Sequence, residues 1–112
     1  MEIKNLTKRT KFNSELAKDI FSQALGLSFS KRKRNMLFIF PIARRWDFWM
    51  LGMFYDLWIS FIDDKGRVFE QLRAGKMTFN PKTWRIYRPL KSCRYILETP
   101  EKLVSIGDKL MF

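Results

Sequence analysis

The sequence predicts one mostly β domain of the α+β type, a compact antiparallel β sandwich or barrel with one N-terminal helix and a short C-terminal helix. Apolar runs of strand length, rich in β-branched and aromatic residues, fill residues 36–40, 48–55 and 57–62. A turn signal, Asp63-Asp64-Lys65-Gly66, follows the third run. A chain of 112 residues has room for one core, so we expect a single domain over residues 1–112.

The N-terminal third predicts one strand and one helix. Residues 1–12 favour a short edge strand with Ile3 and Leu6 as its apolar anchors. From Ser14 to Leu25 the apolar residues recur at helical spacing, and Ser14 has the residue type of an N-cap. The apolar face of this helix would cover the sheet that begins at residue 36.

The C-terminal half predicts further strands and one short helix. Strands are expected at 76–79 and 84–87, and residues 92–98 alternate so that Cys93, Tyr95 and Leu97 share a face and Cys93 is a small core residue. Thr99-Pro100 have the residue types of an N-cap and first helical position, which predicts a helix to about residue 105. Gly107-Asp108 then turns the chain into a terminal strand at 109–112.

The net charge of +11 is the most unusual bulk property of the chain. Residues 1–45 carry 11 basic and 3 acidic side chains, a net charge of +8, whereas residues 46–112 carry 11 and 8, a net charge of +3. Such a field attracts nucleic acid or anionic lipid headgroups, and it also keeps a small protein in solution. Both interpretations stay open at this point.

The densest cations lie in two neighbouring predicted loops. Four adjacent cations repel one another, so the first cluster is either a solvated basic turn or a loop that contacts phosphates. Trp46 stands beside two arginines, where a ring can stack on a base next to phosphate-binding cations. Trp49 and Trp58 are expected in the core instead. The predicted polyanion-binding residues are Lys31, Arg32, Lys33, Arg34, Arg44, Arg45 and Trp46.

Residues 48–55 support an alternative function. Their sequence, FWMLGMFY, is too continuously apolar for a strand with one wet face. Both faces should be covered by the predicted helix, by a small apolar ligand, or by a partner such as a second copy of the chain. The residues proposed for this ligand or partner surface are Trp49, Met50, Met53 and Phe54.

Several classes of function lack the residues they need. The chain has no histidine and only one cysteine, Cys93, so it offers no disulfide and no ordinary zinc site, and we expect neither metal nor cofactor. Asp47 and Asp56 are nine residues apart, too far for an acid/base pair on one strand. We therefore lean against an enzyme. No apolar stretch reaches the roughly 20 residues of a spanning helix, so a cytoplasmic protein without a membrane span is expected.

An ordered set of short motifs resembles a known family, domain of unknown function 192, whose members are small uncharacterised archaeal and bacterial proteins. The motifs are Gly26-Leu27, Met36-Leu37-Phe38, Phe48-Trp49-Met50, Phe61-Ile62-Asp63, Gly66 with Val68, Arg94-Tyr95-Ile96-Leu97-Glu98 and Gly107-Asp108-Lys109-Leu110. The resemblance implies one compact, mostly β domain with short helices and no established reaction. The chain departs from the family at Asp56-Leu57-Trp58, where Pro-Leu-Asp is common. A polar site built on that family aspartate would be lost or moved to Asp56.

Overall fold

The computed structural model describes residues 1–17, 35–44, 48–49, 57–74, 86–87 and 89–112. These residues form ten strands and no helix, so the mostly β class is confirmed. The strands are β1 (Glu2–Asn5), β2 (Thr10–Asn13), β3 (Glu15–Ala17), β4 (Met36–Arg44), β5 (Phe48–Trp49), β6 (Leu57–Ile62), β7 (Val68–Ala74), β8 (Ile86–Tyr87), β9 (Cys93–Thr99) and β10 (Leu110–Met111).

The largest sheet has five strands in the order β3-β4-β9-β6-β7. Its pairs are antiparallel except β3 with β4, which is parallel. The central strand β9 is flanked by β4 and β6, and β6 is buried along almost its whole length. The largely apolar run of β6 is therefore that of a strand covered on both faces.

A second sheet, of order β10-β1-β2, packs on one face of the first. The shared core contains Ile3 and Leu110 from the small sheet and Leu37, Ile62 and Leu97 from the large one. A two-stranded ladder of β5 with β8 completes the described elements. Among the residues described, the sheets do not close into a barrel.

The opposite face of the large sheet carries a second apolar cluster, to which β4, β6 and β9 all contribute. In register across these strands lie Phe38, Ile96 and Phe61. Because successive residues of a strand point to opposite faces, this cluster and the shared core take alternate residues of the same strands. Its members are Met36, Phe38, Phe40, Leu57, Ile59, Phe61, Cys93 and Ile96.

The turn after β6 confirms the prediction made for it. Asp63 Oδ1 accepts hydrogen bonds from the backbone N–H groups of Lys65 (2.9 Å) and Arg67 (3.0 Å). Gly66 has φ +87°, the left-handed conformation that glycine adopts most readily. A bulge between Phe61 and Ile62 brings the strand into this turn.

The predicted helix from Ser14 is wrong where the structure describes it, because Glu15–Ala17 is strand β3. Ser14 Oγ donates to the backbone oxygen of Glu15 (3.0 Å) and does not accept from a helical N–H. Glu15 N–H donates instead to the backbone oxygen of Asn35 (3.0 Å), which ties this segment to the start of β4. Residues 18–25 of the predicted helix lie outside the described residues.

The predicted C-terminal helix is also wrong. Thr99 is the last residue of β9, and its hydroxyl donates to the backbone oxygen of Glu101. An N-cap hydroxyl has to accept from an N–H of the first turn, so this geometry begins no helix. Residues 100–105 form bends and irregular backbone, and the predicted terminal strand is confirmed as β10.

Two details of the strand predictions need correction. β1 lies in the middle of the small sheet, not at its edge, and of its two predicted anchors Ile3 is fully buried while Leu6 is 48% exposed. Cys93 is buried as predicted but packs with Ile96, because the register between β4 and β9 shifts next to it. The predicted strand at 76–79 lies outside the described residues.

Candidate polyanion-binding surface

The outer face of the β1–β2 hairpin carries two lysines side by side. Ile3 and Asn5 point into the protein and are buried, so Lys4 between them points outward and is exposed. Its partner in register on β2 is Lys11, which is also exposed. Side chains directly opposite each other start about 5 Å apart, and like charges in such a pair destabilise the sheet.

No carboxylate in the described part of the chain lies within ion-pair distance of these lysines, although one does pair with Lys8 nearby. Arg9 adds a third exposed cation in the turn, where it has φ +57°. A groove of about 310 Å³ runs along this hairpin. Its walls are Lys4, Asn5, Leu6, Arg9, Thr10 and Lys11.

A buried polar network holds the hairpin turn in place. Asp108 Oδ2 accepts hydrogen bonds from Asn5 Nδ2 (2.7 Å) and from the backbone N–H of Ser105 (2.9 Å), and it lies 3.4 Å from Lys8 Nζ. Burial raises the pKa of the Asp108 carboxyl, but the two hydrogen bonds and the charge of Lys8 outweigh it and hold the pKa below its ordinary value. Lys8 is thus paired within the protein, whereas Lys4, Arg9 and Lys11 of the hairpin have no acidic partner among the described residues.

A ring with two cations forms a second feature of the described surface. Trp58, in β6, was expected in the core, but the structure shows that it is only half-buried. Arg73, its partner in register on β7, places its guanidinium carbon 5.9 Å from the ring centroid, and Lys102 Nζ lies 5.1 Å from the same ring. Both cations are exposed. This is the pairing of a ring with cations that the sequence predicted for Trp46.

Glu98 is the one buried carboxyl whose oxygen finds no partner in the described residues. The side chain lies near the end of β9, in register with Met36 on β4 and Ile59 on β6, and is 2% exposed. Within the described ranges, no donor lies in hydrogen-bond reach of its Oε2 atom. Burial raises the pKa of this carboxyl to about 8, so the neutral form predominates at neutral pH.

Most of the site residues predicted from the sequence lie outside the residues that the structure describes. Arg44 is the last residue of β4, in register with Cys93, and Trp49 pairs with Ile86 in the β5–β8 ladder. Outside the described residues lie Lys31, Arg32, Lys33, Arg34, Arg45, Trp46, Met50, Met53 and Phe54. The predictions for both sets therefore stay predictions.

The lysine pair was missed because residues 1–12 were interpreted as one strand. The polar stretch Thr7-Lys8-Arg9 separates two short segments that each contain apolar residues, which is the pattern of a hairpin, and it was the available signal. Within the described ranges no three metal-ligating side chains come together, and no helix there is long and apolar enough to cross a membrane.

Comparison with known proteins agrees with the motif pattern. The model of the DUF192 family, described as an uncharacterised ACR family, matches residues 2–111. A UPF0127 protein of Pyrococcus horikoshii is 31% identical over 102 residues, which cover 85% of this chain and 83% of that protein. A UPF0127 protein of Pyrococcus abyssi is 28% identical over 103 residues, covering 86% and 82% of the two chains.

Two solved structures share the fold. A putative transcription regulator from Sinorhizobium meliloti superposes with a TM-score of 0.80 at 21% identity, covering 98% of this chain and 91% of that one. A protein of unknown function from Novosphingobium aromaticivorans gives a TM-score of 0.77 at 24% identity, covering 99% and 82%. With the family model matched over nearly the whole sequence, the chain belongs to the DUF192 family, whose function is unknown.

Proposed function

We propose that this protein is a non-catalytic binding domain whose basic surface takes nucleic acid or another polyanion. The observation that carries the proposal is the exposed cross-strand pair of Lys4 and Lys11, which has no carboxylate within reach in the described residues. The pair is unfavourable for the isolated sheet, and a bound phosphate converts that repulsion into affinity.

The dimensions of the hairpin suit a phosphate backbone. Neighbouring strands lie about 4.8 Å apart, and lysine side chains are long and flexible, so two such cations reach successive phosphates of one strand. Arg9 extends the charged surface into the turn beside the groove. The Sinorhizobium meliloti protein is described as a putative transcription regulator, and this agrees with a nucleic-acid partner, although that likeness concerns the fold alone.

The cations predicted from the sequence belong to the same proposal. Lys31, Arg32, Lys33, Arg34, Arg44 and Arg45 are proposed as further phosphate contacts, with Trp46 as a stacking ring. Their support is the local density of charge, which is highest in residues 31–34. The proposed compartment is the cytoplasm.

Fluorescence anisotropy with labelled single-stranded RNA, single-stranded DNA and duplex DNA tests the proposal, at about 50 and 200 mM salt because phosphate contacts are salt-dependent. We expect binding that weakens in the Lys4→Gln/Lys11→Gln variant. A matched control, Lys65→Gln/Lys91→Gln, removes the same charge from two exposed lysines outside the groove. Equal weakening in both variants would show that net charge alone acts, and an absence of binding to all three nucleic acids would end the proposal.

The alternative proposal is a small apolar ligand or a protein partner on the surface of Trp49, Met50, Met53 and Phe54. Its support is that, in the part of the chain that the structure describes, β5 pairs with β8 in a ladder separate from the two larger sheets. If a second copy of the chain is the partner, analytical ultracentrifugation will show a mass that rises with protein concentration. A constant monomer mass contradicts this homo-oligomer.

A further inference from the structure

We propose that Trp58, with Lys102 and Arg73, is a stacking subsite for an unpaired nucleobase, so that the preferred polyanion is single-stranded nucleic acid. This inference rests on the proposed function and adds the class of ligand to it. The observation behind it is a half-buried indole with two exposed cations within 6 Å of its centroid.

The sheet fixes the position of this ring. Trp58 lies in register with Arg73 on β7 and with Thr99 on β9, whose backbone is held by the ladder on both sides. The indole therefore belongs to a strand that is paired on both sides, while part of the side chain remains accessible. A ring fixed in this way offers a stacking surface that loses little conformational freedom when a base binds.

The two cations supply the complementary charge. A cation over an indole is attracted to the negative face of the ring, but a base of any identity stacks on the same face more favourably. Lys102 is exposed and carries a long flexible side chain, so its ammonium group can leave the ring and pair with the phosphate beside the stacked base. The subsite then binds both parts of a nucleotide.

The geometry favours a single strand over a duplex. In a duplex both faces of each internal base are covered by its neighbours, and a fixed indole cannot reach them without unstacking the helix. In a single strand the bases splay outward onto aromatic side chains while the backbone follows a cationic groove. A stacking contact without hydrogen bonds to base edges also predicts little sequence preference.

The test compares a labelled thymidine oligonucleotide with an abasic phosphodiester chain of the same length and charge. We expect the oligonucleotide to bind about tenfold more tightly, since one stacked base contributes on that order. Trp58→Leu should remove the difference and leave the affinity for the abasic chain unchanged. Circular dichroism checks that this variant is folded.

The second measurement needs no variant. Irradiation of the wild-type complex with a 5-bromouracil oligonucleotide, followed by peptide mass spectrometry, should yield a cross-link at Trp58. Equal affinity of the wild type for both chains, equal loss of both in the variant, or cross-links only elsewhere would overturn the stacking subsite and leave polyanion binding standing. If neither chain binds, the proposed function itself fails, and the subsite fails with it.

Discussion

Two buried carboxyl groups of this protein, Asp108 and Glu98, have opposite surroundings. Asp108 lies where the small sheet meets the loop before β10, and it accepts two hydrogen bonds and contacts a lysine. Glu98 lies in the central strand of the large sheet, and its Oε2 atom has no partner in the residues described. The pKa of Asp108 is lowered and that of Glu98 is raised, so one carboxyl is charged at neutral pH and the other is mainly neutral.

The comparison shows that hydrogen-bond donors, and not burial alone, decide the charge of a buried carboxyl. At the junction of the sheets, Asp108 contacts a side-chain amide, a backbone N–H and an ammonium group, and these contacts stabilise its negative charge. In the central strand of the large sheet the register places Met36 and Ile59 beside the carboxyl, and neither has a polar side chain.

The largest effect is expected from Glu98. The pKa of Glu98 is about 8 in the folded chain and about 4.5 in the unfolded chain. Between these pH values the folded state therefore holds a proton that the unfolded state has released. The free energy of unfolding should therefore fall as pH rises from 4.5 to 8, by about 1 kcal/mol per pH unit. Glu98→Gln should remove most of this dependence and be more stable than the wild type near pH 8.

Urea denaturation at several pH values across this window measures the effect. Glu101→Gln serves as a control, because it makes the same change from carboxyl to amide at an exposed residue. A Glu98→Gln protein whose stability still falls with pH as the wild type does would show that Glu98 is not the group that titrates.

The next effect tests how closely the two sheets meet at the junction. Both Gly66 (φ +87°) and Gly107 (φ +95°) have left-handed backbones, so alanine at either should cost about 1–2 kcal/mol. At Gly66 a Cβ would also stand 2.6 Å from the backbone oxygen of Leu110, whereas at Gly107 nothing lies within 4 Å. Gly66→Ala should thus cost about 1–3 kcal/mol more than Gly107→Ala in thermal or urea unfolding.

The two glycine variants control for each other, since they share the backbone strain and differ in the contact. If they lose the same stability, the close approach of the β6–β7 turn to β10 does not constrain the fold.

A smaller effect is expected from Asp108→Asn. This change removes the charge that the amide of Asn5 and the ammonium of Lys8 contact, and it should cost about 1–3 kcal/mol at neutral pH. Because the pKa of Asp108 is lowered on folding, its contribution is full above about 3.8 and is lost as pH falls through the folded value. The variant should therefore approach the wild type in stability under acid.

Asp64→Asn is the matched control for this change, because Asp64 is exposed in the turn after β6. If the wild type and the Asp108→Asn variant lose stability in parallel on acidification, the network of Asp108 with Asn5, Ser105 and Lys8 is contradicted.

The sequence predicted the strands whose own residues determine them. β6 matches its predicted bounds because five of its six residues are apolar, and the turn at Gly66 follows from a glycine two residues after an aspartate pair. The helix predicted after Thr99 failed because a favourable N-cap residue type does not ensure that its hydroxyl accepts a bond. Alternation placed Arg94, Ile96 and Glu98 on one face, but the burial of Glu98 depends on its neighbours in β4 and β6, which the sequence does not identify.

The candidate surface was harder to predict for the same reason. Lys4 and Lys11 are seven positions apart, and only the register of the hairpin brings them together. Likewise Trp58, Arg73 and Lys102 come from three separate parts of the chain and meet through the pairing of β6 with β7. Dense charge is visible in a sequence when it is contiguous, as at residues 31–34, and is hidden when strand pairing creates it.

The central claim, that the Lys4–Lys11 pair contacts phosphates, is tested most directly by the salt dependence of binding. The logarithm of the affinity for a single-stranded oligonucleotide should fall linearly with the logarithm of salt concentration, and each lost contact reduces that slope by about 0.7. Lys4→Gln/Lys11→Gln should therefore lower the slope by about 1.4, whereas Lys65→Gln/Lys91→Gln should leave it near the wild-type value. An unchanged slope in the first variant would contradict the account.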